Sequence, residues 1–191
     1  MSRGRGPRVI AGEFGGLGLS VPRGSRTRPT SDRVKESVFA ALGERVVDAV
    51  VLDLYAGSGA LAIEALSRGA TRAVAVDRDA AAIAAIRTNA DRGHLGDRLR
   101  IHARAASAYL ADTAADGPFD LVLMDPPYDT PDATIGAHLL ALGAPGVLAP
   151  GAAVVVERGA DGEATMPDGW RVTWSRTYGD TLLMLCEPAG D

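Results

Sequence analysis

The sequence predicts an α/β fold built on a mostly parallel sheet with helices on both faces. Apolar strand-like runs recur at 49–54, 73–77, 99–103, 119–125 and 152–157, and helical patterns separate most of them. Most of these runs are apolar along their length rather than alternating, as strands buried on both faces require; LRIHA at 99–103 is the exception. A glycine-bearing turn, Tyr55-Ala56-Gly57-Ser58-Gly59, leads from the first run into a helix, where doubly wound sheets bind ligands.

In chain order, residues 8–21 (RVIAGEFGGLGLSV) hold two short β-prone runs around a glycine-rich centre and predict a hairpin. The arginine-rich PRGSRTRPT follows as a loop. Ser31 offers an N-cap and Asp32 a first-turn acid; Val34, Val38, Ala41 and Leu42 recur at helical spacing, so a helix covers 31–43. AVVLDL (49–54) is the first strand, and ALAIEALSR, closed by Gly69, the helix after it. AVAVD (73–77) precedes an alanine-rich helix over 79–92. LRIHA (99–103), FDLVLMD (119–125), a helix near 132–142 and AAVVVE (152–157) continue the alternation. WRVTWSRTY and TLLMLC, joined at Gly179-Asp180, predict a terminal antiparallel hairpin. Trp170 and Trp174, four apart on one strand, are expected on one face, packing the hairpin's core.

At 191 residues, 47% of them hydrophobic, the chain suits one compact domain with a small appendage, and wholesale disorder is excluded. No apolar run reaches the length of about 18 residues that a membrane span needs. The N-terminus is basic but lacks the apolar stretch of a signal peptide, so a cytoplasmic protein is expected. Cys186, the single cysteine, cannot form an intramolecular disulfide and is expected to be an inert core thiol. His94, His102 and His138 show no metal-ligand spacing, and no metal is expected.

The net charge is −4, yet residues 1–35 hold eight basic residues (Arg3, Arg5, Arg8, Arg23, Arg26, Arg28, Arg33, Lys35) against Glu13 and Asp32. Such a basic segment on an acidic body fits an arm that meets an acidic polymer; charge alone equally allows a solvated tail. The division expected is an arm over 1–30 and a catalytic body over 31–191.

Asp53 ends the first strand, Gly57 and Gly59 let the backbone approach a ligand, and Asp77 follows Gly57 by twenty residues at the end of the second strand. An acid there can accept both hydroxyls of a ribose. The loop also fits a loose dinucleotide fingerprint. Asp53 favours the other reading, because a carboxylate repels a pyrophosphate and attracts the amino and sulfonium groups of S-adenosylmethionine.

Asp125-Pro126-Pro127-Tyr128 leaves the fourth strand. Its prolines cannot continue a central strand and stiffen the exit. Asp125 and the Pro126 carbonyl are then fixed acceptors, and Tyr128 supplies an aromatic face. An exocyclic amine on a nucleobase is a poor nucleophile because its lone pair is delocalised. Two acceptors taking its N–H bonds can aim that lone pair at an activated methyl while the ring stacks on Tyr128.

RVIAGEFGG, RPTSDRVKESVF (28–39), VLDLYAGSGALAIEALSRGA (51–70) and MDPPY (124–128) together resemble the bacterial 16S rRNA guanine-N2 methyltransferases of the small-subunit methyltransferase D family. The resemblance implies a seven-stranded Rossmann-like methyltransferase fold with a small N-terminal β-hairpin extension. It implies transfer from S-adenosylmethionine, leaving S-adenosylhomocysteine, to a guanine in the helix 31 loop of 16S rRNA. The partner would be the assembling or assembled small subunit, and the enzyme a monomer. Cofactor contacts would fall to Asp53, Tyr55, Ala56, Gly57, Ser58, Gly59, Asp77, Arg78 and Asp125. Asp125, Pro126, Pro127 and Tyr128 would hold the guanine amine. Arg28, Thr30 and Arg33 would meet RNA, with Arg3, Arg5, Arg8, Arg23 and Arg26 on the arm. The chain departs from the family after the third strand, where His102-Ala103-Arg104-Ala105-Ala106 offers no acid or amide; adenine would rest on backbone near Ala105. An adenine-N6 or protein-glutamine methyltransferase, an NAD-dependent oxidoreductase and a non-catalytic RNA-binding module are the competing readings.

Overall fold

The structure, a computed structural model, describes residues 6–22, 32–112, 116–160 and 166–189. Its helices are α1 (Asp32–Leu42), α2 (Ala60–Ser67), α3 (Ala80–Arg92), α4 (Ala106–Leu110) and α5 (Asp132–Leu142). Its strands are β1 (Val50–Leu54), β2 (Arg72–Asp77), β3 (Leu99–Ala103), β4 (Phe119–Met124), β5 (Leu148–Gly159), β6 (Trp170–Tyr178) and β7 (Thr181–Pro188). One seven-stranded sheet runs β3-β2-β1-β4-β5-β7-β6, parallel from β3 to β5 and antiparallel through β7 and β6. Strand order reverses beside β1, so the crevice between the carboxyl ends of β1 and β4 is the natural ligand site.

The apolar runs bury because both faces are covered. Val51, Ala75, Leu123 and Val155 face α1, α2 and α3, packing on Phe39, Ile63 and Ile86. Leu52, Val74, Val122 and Val154 face α4 and α5, against Tyr109 and Leu139. Asp79 caps α3 through its carboxylate, which accepts from the Ala81 N–H at 2.8 Å. Helix α4 went unpredicted because five residues are too few to display a helical period. Strand β5 starts earlier than expected: Pro150-Gly151 reads as a break, but a register shift opposite Phe119 and Leu121 absorbs it.

The terminal hairpin corrects one expectation. Trp170 packs on the α4/α5 face and Trp174 on the α1–α3 face, not together. A register shift between Val172 and Trp174 inserts an extra residue, which reverses the alternation along β6. Cys186 is fully buried, and burial pushes its thiol up to about 12, as an inert core thiol requires.

Residues 7–19 lie against the body. The expected hairpin is present as a single antiparallel bridge, Arg8 with Gly18. Buried Glu64 on α2 accepts from the N–H groups of Ile10 (2.7 Å) and Ala11 (3.2 Å) and pairs with Arg68. Ser20 and Asn89 of α3 exchange two hydrogen bonds, and buried Lys35 donates to the Arg8 carbonyl. Gly12, at φ +84°, sits so close to α2 that a Cβ would stand 1.8 Å from the Ser67 carbonyl oxygen. Gly12→Ala should therefore cost roughly 2–4 kcal/mol, or about 5–15 °C in Tm by calorimetry. An unchanged Tm would show that this strap adds nothing to stability.

Candidate active site

Residues paired in register on parallel strands point to the same face, and side chains alternate along each strand. Ala75, Asp53, Leu123 and Val155 form one such row across β2, β1, β4 and β5. Two residues further on, Asp77, Asp125 and Glu157 point the same way at the carboxyl ends of their strands. Four carboxylates thus line one rim of the sheet, in the spatial order Asp77, Asp53, Asp125, Glu157.

Their electrostatics follow from that crowding. Asp53 is buried; one carboxylate oxygen accepts from the Ala62 N–H at 3.0 Å, and the other has no protein partner. Burial first, then repulsion from Asp125 and Asp77, pushes its carboxyl up to about 8. Glu157 is likewise pushed up to about 8 by burial and by Asp125. A buried acceptor without a donor calls for one from a ligand. A cationic ligand fits this rim, and a pyrophosphate would meet repulsion.

The glycine turn is built to close over the rim. Tyr55 adopts φ +66°, Gly57 +55° and Gly59 +75°, three left-handed residues within five. Asp77 fastens the turn: its oxygens accept from Gly57 N–H at 2.8 Å and Asp79 N–H at 2.9 Å. Ala56 N–H donates to the Val76 carbonyl, and Asn89 donates to the Ser58 carbonyl. The Tyr55 side chain turns to the opposite face, where its hydroxyl lies 3.2 Å from Nδ1 of His138. Burial holds His138 below the usual histidine range. His102 is satisfied by Asp116 at 2.9 Å. Among the described residues, no group of acids, histidines and cysteines is arranged to hold a metal ion.

The Asp125–Tyr128 segment exits β4 beside this turn. Pro126 is buried, Pro127 and Tyr128 are exposed, and the Tyr128 hydroxyl is hydrogen-bonded to Oγ1 of Thr181 at 3.1 Å. That bond pins an exposed aromatic ring next to Asp125. Of the other expected residues, exposed Arg78 lies close enough to Tyr55 to act on its hydroxyl, and Ala105 opens α4. Exposed Arg33 lies over the Tyr178 ring, 5.6 Å from guanidinium carbon to centroid. Arg8 is half-buried and faces Asp32 at 3.4 Å. Arg3, Arg5, Arg23, Arg26, Arg28, Thr30 and the Ser31 cap lie outside the described residues.

Glu157, Thr181, Arg176 and Tyr178 were missed. Glu157 carried a usable signal, an acid closing an apolar strand as Asp53, Asp77 and Asp125 do. The other three are brought to the rim only by the antiparallel pairing of β7 and β6, which residue spacing does not encode.

A Rossmann-like sheet, a left-handed glycine turn and an acidic rim joined to a Pro-Pro-Tyr exit define a class I methyltransferase. The chain belongs to the small-subunit rRNA methyltransferase D family, and residues 7–187 match the family model described as conserved hypothetical protein 95. It is 34% identical over 179 residues to ribosomal RNA small subunit methyltransferase D of Escherichia coli strain K12, spanning 93% of this chain and 88% of that protein. YlbH of Bacillus subtilis, provisionally named an rRNA methyltransferase, is 40% identical over 122 residues, 63% of this chain and 66% of that one. The solved structure of yhhF from Escherichia coli, provisionally named a methyltransferase, superposes with a TM-score of 0.83 at 32% identity, covering 96% of this chain and 98% of that one.

Proposed function

We propose that the protein transfers a methyl group from S-adenosylmethionine to the exocyclic N2 of a guanine in the helix 31 loop of 16S rRNA. The observation that carries this reading is the buried Asp53 oxygen without a partner, set one strand away from the Asp125–Tyr128 acceptor segment. When bound, S-adenosylmethionine supplies an activated methyl on a sulfonium. The residues fit such a cofactor: the acidic rim complements its two cationic groups.

Each residue then has a distinct task. Asp53 and the turn from Tyr55 to Gly59 hold the amino-acid end, and Asp77, with Arg78 beside it, holds the ribose. Backbone near Ala105 meets adenine. Asp125 and the Pro126 carbonyl accept the two N–H bonds of the target amine and aim its lone pair; Asp125 then takes the proton the amine sheds. Tyr128, fixed by Thr181, stacks on the base, and Pro127 keeps the segment rigid. Glu157, its carboxyl pushed up by burial and by the Asp125 charge, stands beside Asp125 on the far side from Asp53 and borders the target amine.

The relatives' names support rRNA over protein as the substrate, and the arginines of residues 1–35 support a polyanion. The test is incubation of the full chain with methyl-labelled S-adenosylmethionine and small ribosomal subunits that lack the modification. Label in the extracted RNA is expected. Label in ribosomal protein alone would overturn the substrate.

A further inference from the structure

The rim changes sign at its far end. Register carries the Glu157 row across β7 through Leu183 to Arg176 on β6, and the next row through Thr181 to Tyr178. Arg176 and Arg33, from β6 and α1, both lie over the Tyr178 ring, at 5.3 and 5.6 Å from its centroid. Ser37 donates to the Tyr178 hydroxyl and holds the ring in place. Both guanidiniums are exposed, and neither meets a carboxylate among the described residues. Eight other described arginines face acids: Arg8, Arg45, Arg68, Arg98, Arg100, Arg104, Arg158 and Arg171.

Two like charges gathered on one ring repel each other, and cation–π attraction at an exposed site offsets that by only about 0.5–1 kcal/mol each. An anion between or above them removes the repulsion. The neighbourhood identifies the anion. Thr181, which pairs with Tyr178, also holds the Tyr128 hydroxyl, so the arginine pair is one strand pairing away from the base platform. β7 and β6 lie beyond Glu157, away from the cofactor turn, and would border the phosphodiesters flanking a nucleotide stacked on Tyr128.

We propose that Arg33, Tyr178 and Arg176 form a phosphate clamp for the RNA backbone flanking the target nucleotide. The proposal rests on the RNA reading above and adds a contact from the C-terminal hairpin, far in sequence from the basic N-terminal segment. Tyr178 acts as the positioning residue that holds both guanidiniums.

The test compares the full chain with Arg33→Gln/Arg176→Gln and with Tyr178→Phe. Binding of a helix 31 rRNA fragment is measured by anisotropy from 50 to 200 mM salt, beside methyl transfer to small subunits and S-adenosylmethionine affinity by calorimetry. The double variant should lower the slope of log affinity against log salt by about 1–2. It should raise the KM for RNA by roughly 10-fold or more, with kcat and cofactor affinity unchanged. Tyr178→Phe keeps the ring and should lose less than the double variant. An unchanged slope and KM in a wild-type background that binds and methylates would overturn the clamp alone. A wild type that binds the fragment with a slope dependent on these arginines, yet methylates nothing, would overturn the proposed reaction and uphold the clamp. A wild type that neither binds nor methylates RNA would overturn both.

Discussion

Asp125→Ala should lower turnover by roughly 10²–10⁴-fold while changing S-adenosylmethionine affinity by less than about 10-fold. The asymmetry follows from position. Asp125 stands between Asp53, proposed to meet the cofactor with the glycine turn, and Glu157, proposed to border the target. Its acceptor oxygens are needed when the amine nitrogen rehybridises, so their loss falls on the transition state. Asp125→Asn keeps one acceptor and loses the charge, so its turnover should lie between wild type and Asp125→Ala. Removing the Asp125 charge also relieves Asp53 and Glu157, both raised in part by it. A second signature is therefore expected: carbon-13 titration of Glu157 in Asp125→Ala should show a lower pKa than the wild type's. Single-turnover kinetics at saturating cofactor check the first effect. Wild-type turnover would remove Asp125 from the chemistry.

Asp53→Asn should weaken S-adenosylmethionine binding by two orders of magnitude or so and, without cofactor, make the protein more stable at pH 8. Burial and two neighbouring acids raise the Asp53 carboxyl from 3.8 in the unfolded chain to about 8 in the folded one. Between those values the folded state holds more protons than the unfolded state, so this group's contribution to stability declines as pH rises from about 4 to about 8. Asparagine does not ionise, and its carbonyl can still accept the Ala62 N–H while its amide donates toward the rim carboxylates. The gain at pH 8 should be about 1–3 kcal/mol, roughly 3–10 °C in Tm. The wild type should bind the cationic cofactor with release of protons below pH 8, and its affinity should fall as pH falls; both effects should be smaller in Asp53→Asn, where Glu157 is left as the raised rim carboxyl. Calorimetry in two buffers of different ionisation enthalpy measures the protons directly. A variant that binds as tightly as wild type would contradict the assigned role.

The sheet was legible because parallel strands buried on both faces must be apolar throughout, and AVVLDL, AVAVD and FDLVLMD admit no other use. Asp53, Asp77 and Asp125 were legible for the complementary reason: an acid closing such a strand has few structural excuses. Glu157 meets the same criterion but lacks a flanking glycine turn or Pro-Pro-Tyr segment to distinguish it from a strand simply ending. The hairpin was less legible. Trp170 and Trp174 were placed on one face by counting residues, and the extra residue between Val172 and Trp174 defeats any count. The tie between residues 7–19 and the body was invisible for a different reason. IAG and IEALSRGA read as separate motifs, yet Glu64 and Ser67 join them through main-chain N–H groups that no side-chain pattern announces.

Identification of the modified nucleoside tests the central claim most directly. Small subunits lacking the modification would be incubated with the protein and methyl-labelled S-adenosylmethionine, the helix 31 segment isolated, and its nucleosides resolved by mass spectrometry. The proposed reaction predicts label as N2-methylguanosine in that segment and its loss with Asp125→Ala. Label as N6-methyladenosine, or no label in RNA while the cofactor binds, would contradict the account.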